Sequence, residues 1–187
     1  MRRTSFDQWP CSIARTVDLL GDAWTLLLLR EMFYGETRFD GLVAALGIPR
    51  GTLTSRLSTL VEHGMLERRE YQVDPLRHEY LLTDKGHDFF GVLVTINAWG
   101  DRWLSEGDAV PVVMHHESCG HDLRPRVVCS ACDGDVRLED VSARPGPGYP
   151  ARLAHSPLVV DRFTRTVRAA EEPPVGAAGI EPATTSL

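Results

Sequence analysis

Nowhere in its 187 residues does the chain carry a long hydrophobic run. A bilayer-spanning helix needs about 18 or more apolar residues in succession. The start, Met1-Arg2-Arg3-Thr4-Ser5-Phe6, leads to Pro10 without the apolar stretch of a secretory leader, so the expected location is the cytoplasm. Cysteine is scarce at four residues, and in a reducing compartment these are thiols or metal ligands before they are disulfides. Basic charge is in deficit: 20 Lys and Arg stand against 26 Asp and Glu, a net charge of −6. Positions 1–106 hold 12 basic and 15 acidic residues and the remainder 8 and 11, so no basic domain hides behind an acidic one. Any contact with nucleic acid must then come from a local cluster and be sensitive to salt. Internal repeats, a phosphate loop and a nucleophile–base arrangement are lacking too, which argues against an enzyme. What is plentiful is apolar residue, 43%, ample for one ordinary domain with an appendage.

The most informative stretch is Thr37 to Thr83. Thr37 can cap a short helix whose first turn carries Asp40 and whose apolar stripe is Phe39, Leu42, Val43 and Leu46. Gly47 permits a tight turn, and Pro49 suits the first turn of a second helix, residues 49–63, closed by Gly64. On that helix Leu53, Leu57, Leu60 and Val61 share one buried face. Facing outward are expected to be Arg50, Thr52, Ser55, Arg56 and Thr59, short hydroxyl residues and arginines able to meet base edges and phosphates. Two strand-like runs follow, 66–72 and 78–82, around a loop with Pro75 at its tip. The wing, 73–78, presents Arg77 and His78 toward a nucleic-acid backbone. Lys85 is a further candidate cation. This order of elements predicts a winged helix-turn-helix, mostly α with a small β-hairpin.

Before it, Ile13–Leu20 and Trp24–Phe33 are predicted helices, the second so rich in leucine that it must be buried on most sides. After it, Thr83 can cap a long helix over 84–105 bearing Phe89, Phe90, Leu93, Ile96, Ala98, Trp99 and Trp103. So wide an apolar surface exceeds what one small domain covers. It suits a two-fold dimer interface, with packing onto the domain's own core as the alternative.

Several segments together resemble the HxlR-type winged helix-turn-helix family of bacterial transcriptional regulators. They are Cys11-Ser12-Ile13-Ala14-Arg15, Leu19-Leu20-Gly21-Asp22-Ala23-Trp24-Thr25, Arg38-Phe39-Asp40-Gly41-Leu42, Leu60-Val61-Glu62-His63-Gly64-Met65-Leu66, His78-Glu79-Tyr80-Leu81-Leu82-Thr83 and Trp99-Gly100-Asp101-Arg102-Trp103. The likeness covers residues 10–106 and extends to about 148. It implies a homodimer that binds an inverted repeat in DNA and represses or activates a nearby gene. Some relatives also use a cysteine at the position of Cys11 as a redox switch. Here Arg15 and a helix start would favour thiolate at Cys11, Ser12 stands where a proline is common, and a buried structural thiol is the preferred reading.

Beyond Gly107, His116-x-x-Cys119 is followed after nine residues by Cys129-x-x-Cys132, with His115 and His121 nearby. This is the knuckle spacing of a structural zinc ribbon, with His116 preferred over His121 as fourth ligand. The segments 111–115 and 126–129 are too short and polar to fold by burial alone. Metal-free surface thiols remain the alternative. His115-x-Glu117 before Cys129-x-x-Cys132 faintly echoes zinc deaminases, but Val128 replaces their proline and the spacing leaves no room for the elements that hold a catalytic base. Seven of the 12 prolines fall between Ala143 and Leu187, so that stretch reads as linker or disorder, with a transient helix at 159–170. The expected organisation is therefore a reading and dimerisation domain over 1–106, a zinc-ribbon-like segment over 107–142 and a tail over 143–187. The expected function is DNA-binding regulation by a homodimer with unknown effector, a possible structural zinc being its sole cofactor. A protein-interaction adaptor is the alternative.

Overall fold

A computed structural model describes residues 5–106 and 109–164. By its internal contacts the chain forms two units, Met1–Arg126 and Val127–Leu187. The expected boundary after residue 106 thus lies further on. Val112, Met114 and Leu123 line a cleft of the first unit together with Trp99 and Trp103.

The first unit opens with α1 (Ser12–Leu20) and α2 (Thr25–Phe33). Asp22 organises the turn between them: its carboxylate accepts from the Trp24 amide at 2.9 Å, the Thr25 amide at 3.1 Å and the Thr25 hydroxyl. These satisfy donors that the start of α2 would otherwise leave open. Leu28 and Leu29 are wholly buried, as a leucine-rich helix requires. Next come α3 (Phe39–Leu46) and α4 (Arg50–Glu62), joined through Gly47 at φ 62°, a left-handed turn that glycine enters without strain. Leu42 from α3 and Leu53, Leu57 and Leu60 from α4 meet Leu28 and Leu29 in one core. Their three- and four-residue spacing puts the α4 leucines on one side of the helix.

The hairpin is β1 (Leu66–Val73) with β2 (Leu76–Leu82), antiparallel, pairing Leu66 with Leu82 and Arg69 with Glu79. An irregularity between Glu70 and Gln72 leaves Tyr71 as the extra residue of a bulge. The strands run further than the spacing suggested, so the turn shrinks to Asp74 and Pro75, whose peptide bond is cis. Thr37 proves to be an anchor of this hairpin and not a helix cap. Its carbonyl accepts from the Tyr80 amide at 2.8 Å, Arg38 pairs with Glu79 as a bridge, and the helix begins only at Phe39.

Thr83 does cap the helix after the hairpin, its hydroxyl accepting from the Gly86 amide at 3.2 Å. The expected long helix is broken at Phe89 into α5 (Asp84–Asp88) and α6 (Phe90–Leu104). Gly86 is where this part of the chain presses on the hairpin: a Cβ there would lie 2.3 Å from the Met65 carbonyl oxygen. Phe90 packs on Phe33 with ring centres 4.9 Å apart, joining α6 to α2.

A two-residue hairpin, β3 (His115–His116) with β4 (His121–Asp122), ends the first unit. In the second, Val128 bridges Asp135, a 3₁₀ turn spans Leu138–Asp140, and α7 (Ala151–Ala154) and α8 (Pro157–Thr164) follow. Tyr149 and Phe163 meet edge to face with centres 5.6 Å apart. The expected strand at 126–129 is reduced to the Val128 bridge, and α8 begins two residues before the expected helix at 159–170, whose remainder lies outside the described residues. Among the described residues no helix is long and apolar enough to cross a membrane.

Candidate nucleic-acid interface

On α4 Arg50, Gly51, Thr54, Ser55 and Ser58 are exposed, and Gly51, Ser55 and Ser58 lie opposite the buried leucines. A helix advances about 100° per residue, so position 56 falls beside the buried stripe and positions 52 and 59 lie on the flank of the helix. Thr52, Arg56 and Thr59 are accordingly half-buried. Treating every polar position as outward placed these three too far round the helix and overlooked Gly51, Thr54 and Ser58. Counting steps from Leu53, Leu57 and Leu60 would have found Gly51 and Ser58. Two hydroxyls are also spent on the helix itself: Thr54 donates to the Arg50 carbonyl and Thr59 to that of Ser55, each at 3.0 Å.

Arg56 differs from Arg50 in kind. Its side chain is 24% exposed, and Nη1 lies 3.4 Å from the Asp22 carboxylate, whereas the Arg50 side chain is 65% exposed. The Nε of Arg56 is buried without a hydrogen-bond partner. Burial pushes the Asp22 carboxyl up. The Thr25 hydroxyl, the Trp24 amide, the Arg56 guanidinium and the Thr25 amide outweigh that and hold it below the ordinary aspartate value. Arg56 therefore fastens α4 to the start of α2, and the expectation that it faces a DNA groove is corrected. Lys85 is redirected too: its Nζ donates to the His63 carbonyl at 2.7 Å, closing the C-terminal end of α4. That end is roughly 20 Å from Arg50 at 1.5 Å per residue.

The wing and the first turn of α4 do converge. Arg50, Arg77 and His78 line one cleft of about 550 Å³ with Arg38, Tyr71 and Phe39. Two guanidiniums there are held on aromatic faces, Arg38 over Tyr71 at 4.6 Å and Arg50 over Phe39 at 4.8 Å. Acidic groups temper the cluster. Asp40 lies 2.9 Å from Arg50, His78 sits 3.8 Å from Glu70, and Glu36 also lines the cleft. Arg38 and Tyr71 were not candidates from the sequence, because only the bridge to Glu79 and the bulge bring them here.

Cys11 is exposed at the cap position of α1, contrary to the preferred reading of a buried thiol, and its sulfur makes no capping hydrogen bond. The four candidate metal ligands divide between the units. In the first, His116 Nδ1 lies 3.1 Å from the Cys119 sulfur. In the second, the Ala131 amide, the Cys132 thiol and the Cys132 amide hydrogen-bond Cys129 and lower its pKa. Among the described residues no three His, Cys, Asp or Glu side chains gather as a metal site would require.

Helix α3, a tight turn, helix α4 and a β-hairpin beside it make a winged helix-turn-helix, the reading module of transcriptional regulators. The profile described as HxlR-like helix-turn-helix matches residues 19–108. The chain is similar to an uncharacterized HTH-type transcriptional regulator of Mycobacterium bovis, 45% identical over 145 residues, 78% of this chain and 92% of that one. A Synechocystis protein of the same description is 41% identical over 97 residues, 51% of this chain and 72% of that one. The crystal structure of PA1607, a proposed transcription factor, superposes with a TM-score of 0.69 at 32% identity, over 76% of this chain and all of that one. A second, PA1374 from Pseudomonas aeruginosa, gives 0.55 at 34% identity, over 77% of this chain and 98% of that one. The chain belongs to the HxlR-like helix-turn-helix family. It is a transcriptional regulator and not an enzyme, as its relatives are.

Proposed function

We propose that the protein binds an inverted-repeat operator as a homodimer and so controls a nearby gene. The observation that carries this reading is the convergence of Arg38, Arg50, Arg77 and His78 in one cleft beside the exposed small-residue face of α4. Gly51, Thr54, Ser55 and Ser58 allow α4 to approach the major groove closely, and the cluster receives the flanking phosphates. Arg50 reaches a phosphate by exchanging its bond to Asp40. Thr52 and Thr59 contribute at the edges of the helix.

A dimer doubles a cluster that is small for a chain of net charge −6. Its face is the apolar surface left open by α1 and α6, where Trp99 is 58%, Trp103 62% and Ile13 74% exposed. Cys11 begins the same α1 and is the thiol through which an oxidant would act on that face. The reading is tested by a gel-shift titration of the purified protein on the intergenic DNA flanking its own gene, at two salt concentrations with excess random competitor. A salt-sensitive shift that resists competitor is expected. Absence of any shift under reducing and oxidising conditions overturns the reading in favour of a protein-binding adaptor.

A further inference from the structure

Cys129 and Cys132 stand at the two ends of one four-residue turn in the second unit. The Cys129 carbonyl accepts from the amides of Cys132 at 3.3 Å and Asp133 at 2.8 Å, which brings the two α-carbons within the roughly 7 Å of a closed turn. A disulfide spans about 4.4–6.8 Å between α-carbons. The two sulfurs lie on the same side of the turn, because the Cys132 thiol hydrogen-bonds Cys129. Three further contacts hold the turn shut. The Cys129 amide donates to the Gly134 carbonyl at 2.9 Å, the Val136 amide donates to the Val127 carbonyl at 3.0 Å, and Val128 bridges Asp135.

Packing does not account for the pair. From 127 to 142 no residue is buried, and Cys132 is exposed while Cys129 is half-buried. A buried thiol serves as a small apolar group, whereas an exposed one is characterised by its reactivity. Gly134 neighbours the Cys132 sulfur, where a Cβ would stand 3.4 Å from it, and having no side chain it leaves that flank open. Asp133 meanwhile holds φ 56°, a backbone conformation that side chains disfavour, so the turn is fixed by its hydrogen bonds. Cys11 and Cys119 are not arranged this way, since neither has a second cysteine within three residues.

We propose that Cys129 and Cys132 are a redox-active dithiol that a hydroperoxide closes into a disulfide within the turn. Cys132, the exposed member, is reached first. Its sulfur attacks one peroxide oxygen, the O–O bond breaks, and the thiol proton leaves with the departing oxygen as an alcohol, or as water from hydrogen peroxide. The Cys132 sulfenic acid so formed faces Cys129, whose sulfur attacks it. The S–S bond forms, the S–O bond breaks, and the hydroxyl leaves with the Cys129 proton as water. The two thiols together lose two electrons and the peroxide gains two. A dithiol reductant reverses the step by thiol–disulfide exchange. The reaction is confined to the second unit and does not depend on how DNA is bound.

The test uses the full chain, reduced, freed of reductant, treated with a small molar excess of hydrogen peroxide, quenched with iodoacetamide and digested with trypsin without further reduction. Both cysteines fall in one tryptic peptide, Val127–Arg137, which holds no other. That peptide should change from doubly alkylated to unalkylated and lighter by two hydrogens than its free dithiol form. Treatment with dithiothreitol before alkylation should restore the doubly alkylated peptide. Cys129→Ser should leave Cys132 as a sulfenic acid that dimedone captures, and Cys132→Ser should leave Cys129 largely unoxidised over the same interval. Peptide mapping of the unsubstituted chain stands even if a variant fails to fold. A peptide that stays doubly alkylated, accumulates sulfinic acid or becomes linked to Cys11 or Cys119 overturns the proposal. Dimedone capture at Cys129 in Cys132→Ser, and not at Cys132 in Cys129→Ser, overturns the order of attack.

Discussion

Residues 12–104 and residues 109–142 hold their shapes by different means. In the first stretch leucines from α2, α3 and α4 interlock in a core where Leu28, Leu29, Leu42 and Leu53 are wholly buried. In the second no residue is buried, and order rests on two tight turns, their backbone hydrogen bonds and short antiparallel returns. The contrast shows why apolar periodicity is a good guide to the helical part and uninformative beyond it, where the spacing of His and Cys carries the signal.

Leu57→Ala is the sharpest way to probe that contrast, because it opens a cavity in the core and should cost about 2–5 kcal/mol in urea unfolding. Val127→Ala, at an exposed position, should change stability by less than about 0.5 kcal/mol. An equal loss at Val127 would break the distinction. The two arginines of α4 sharpen it within a single helix. Arg50→Ala should weaken operator binding by about 1 kcal/mol and reduce the slope of affinity against salt by about one phosphate contact, with stability unchanged. Arg56→Ala should instead lower stability by about 1 kcal/mol, since it removes a partner of the Asp22 carboxylate, and leave the salt slope as it was. A reduced slope for Arg56→Ala would return that residue to the DNA contacts.

Acid should act on the same Asp22 network. Because the folded-state pKa of Asp22 is depressed, its contribution is complete above the unfolded value of about 3.9 and is lost as pH falls through the lower folded value. Thermal melts from neutral pH downward should therefore show a steeper loss below about pH 4 for the native chain than for Asp22→Asn. The smallest effect is expected from Asp40→Asn, which frees Arg50 of its carboxylate partner and should raise operator affinity by a few tenths of a kcal/mol in low-salt titrations.

Most of the helical part was legible in the residues. Leu53, Leu57 and Leu60 set the buried side of α4, Gly47 and Gly64 at φ 62° and 67° mark turns where they were expected, and Thr83 caps the helix it precedes. What was not legible arises where distant segments meet. Thr37 has the chemistry of a cap and becomes the edge of the hairpin because the Tyr80 amide needs its carbonyl. Arg56 has the chemistry of a DNA contact and turns inward because Asp22, in the turn before α2, packs against it. Arg38 and Tyr71 have no motif of their own and join the basic cleft through a bridge and a bulge.

The sequence by itself determined which segments of the leucine-rich part are helices and strands, which leucines must be buried and where histidine and cysteine recur, since these depend on neighbours a few residues away. Only the tertiary structure decided which cations are free to meet a phosphate. Arg50 and Arg56 are alike in sequence, and what separates them is that one is 65% exposed beside Asp40 while the other lies against Asp22, a carboxylate 34 residues earlier in the chain. A side chain's availability is set by whatever packs against it, and folding brings those partners from anywhere along the chain.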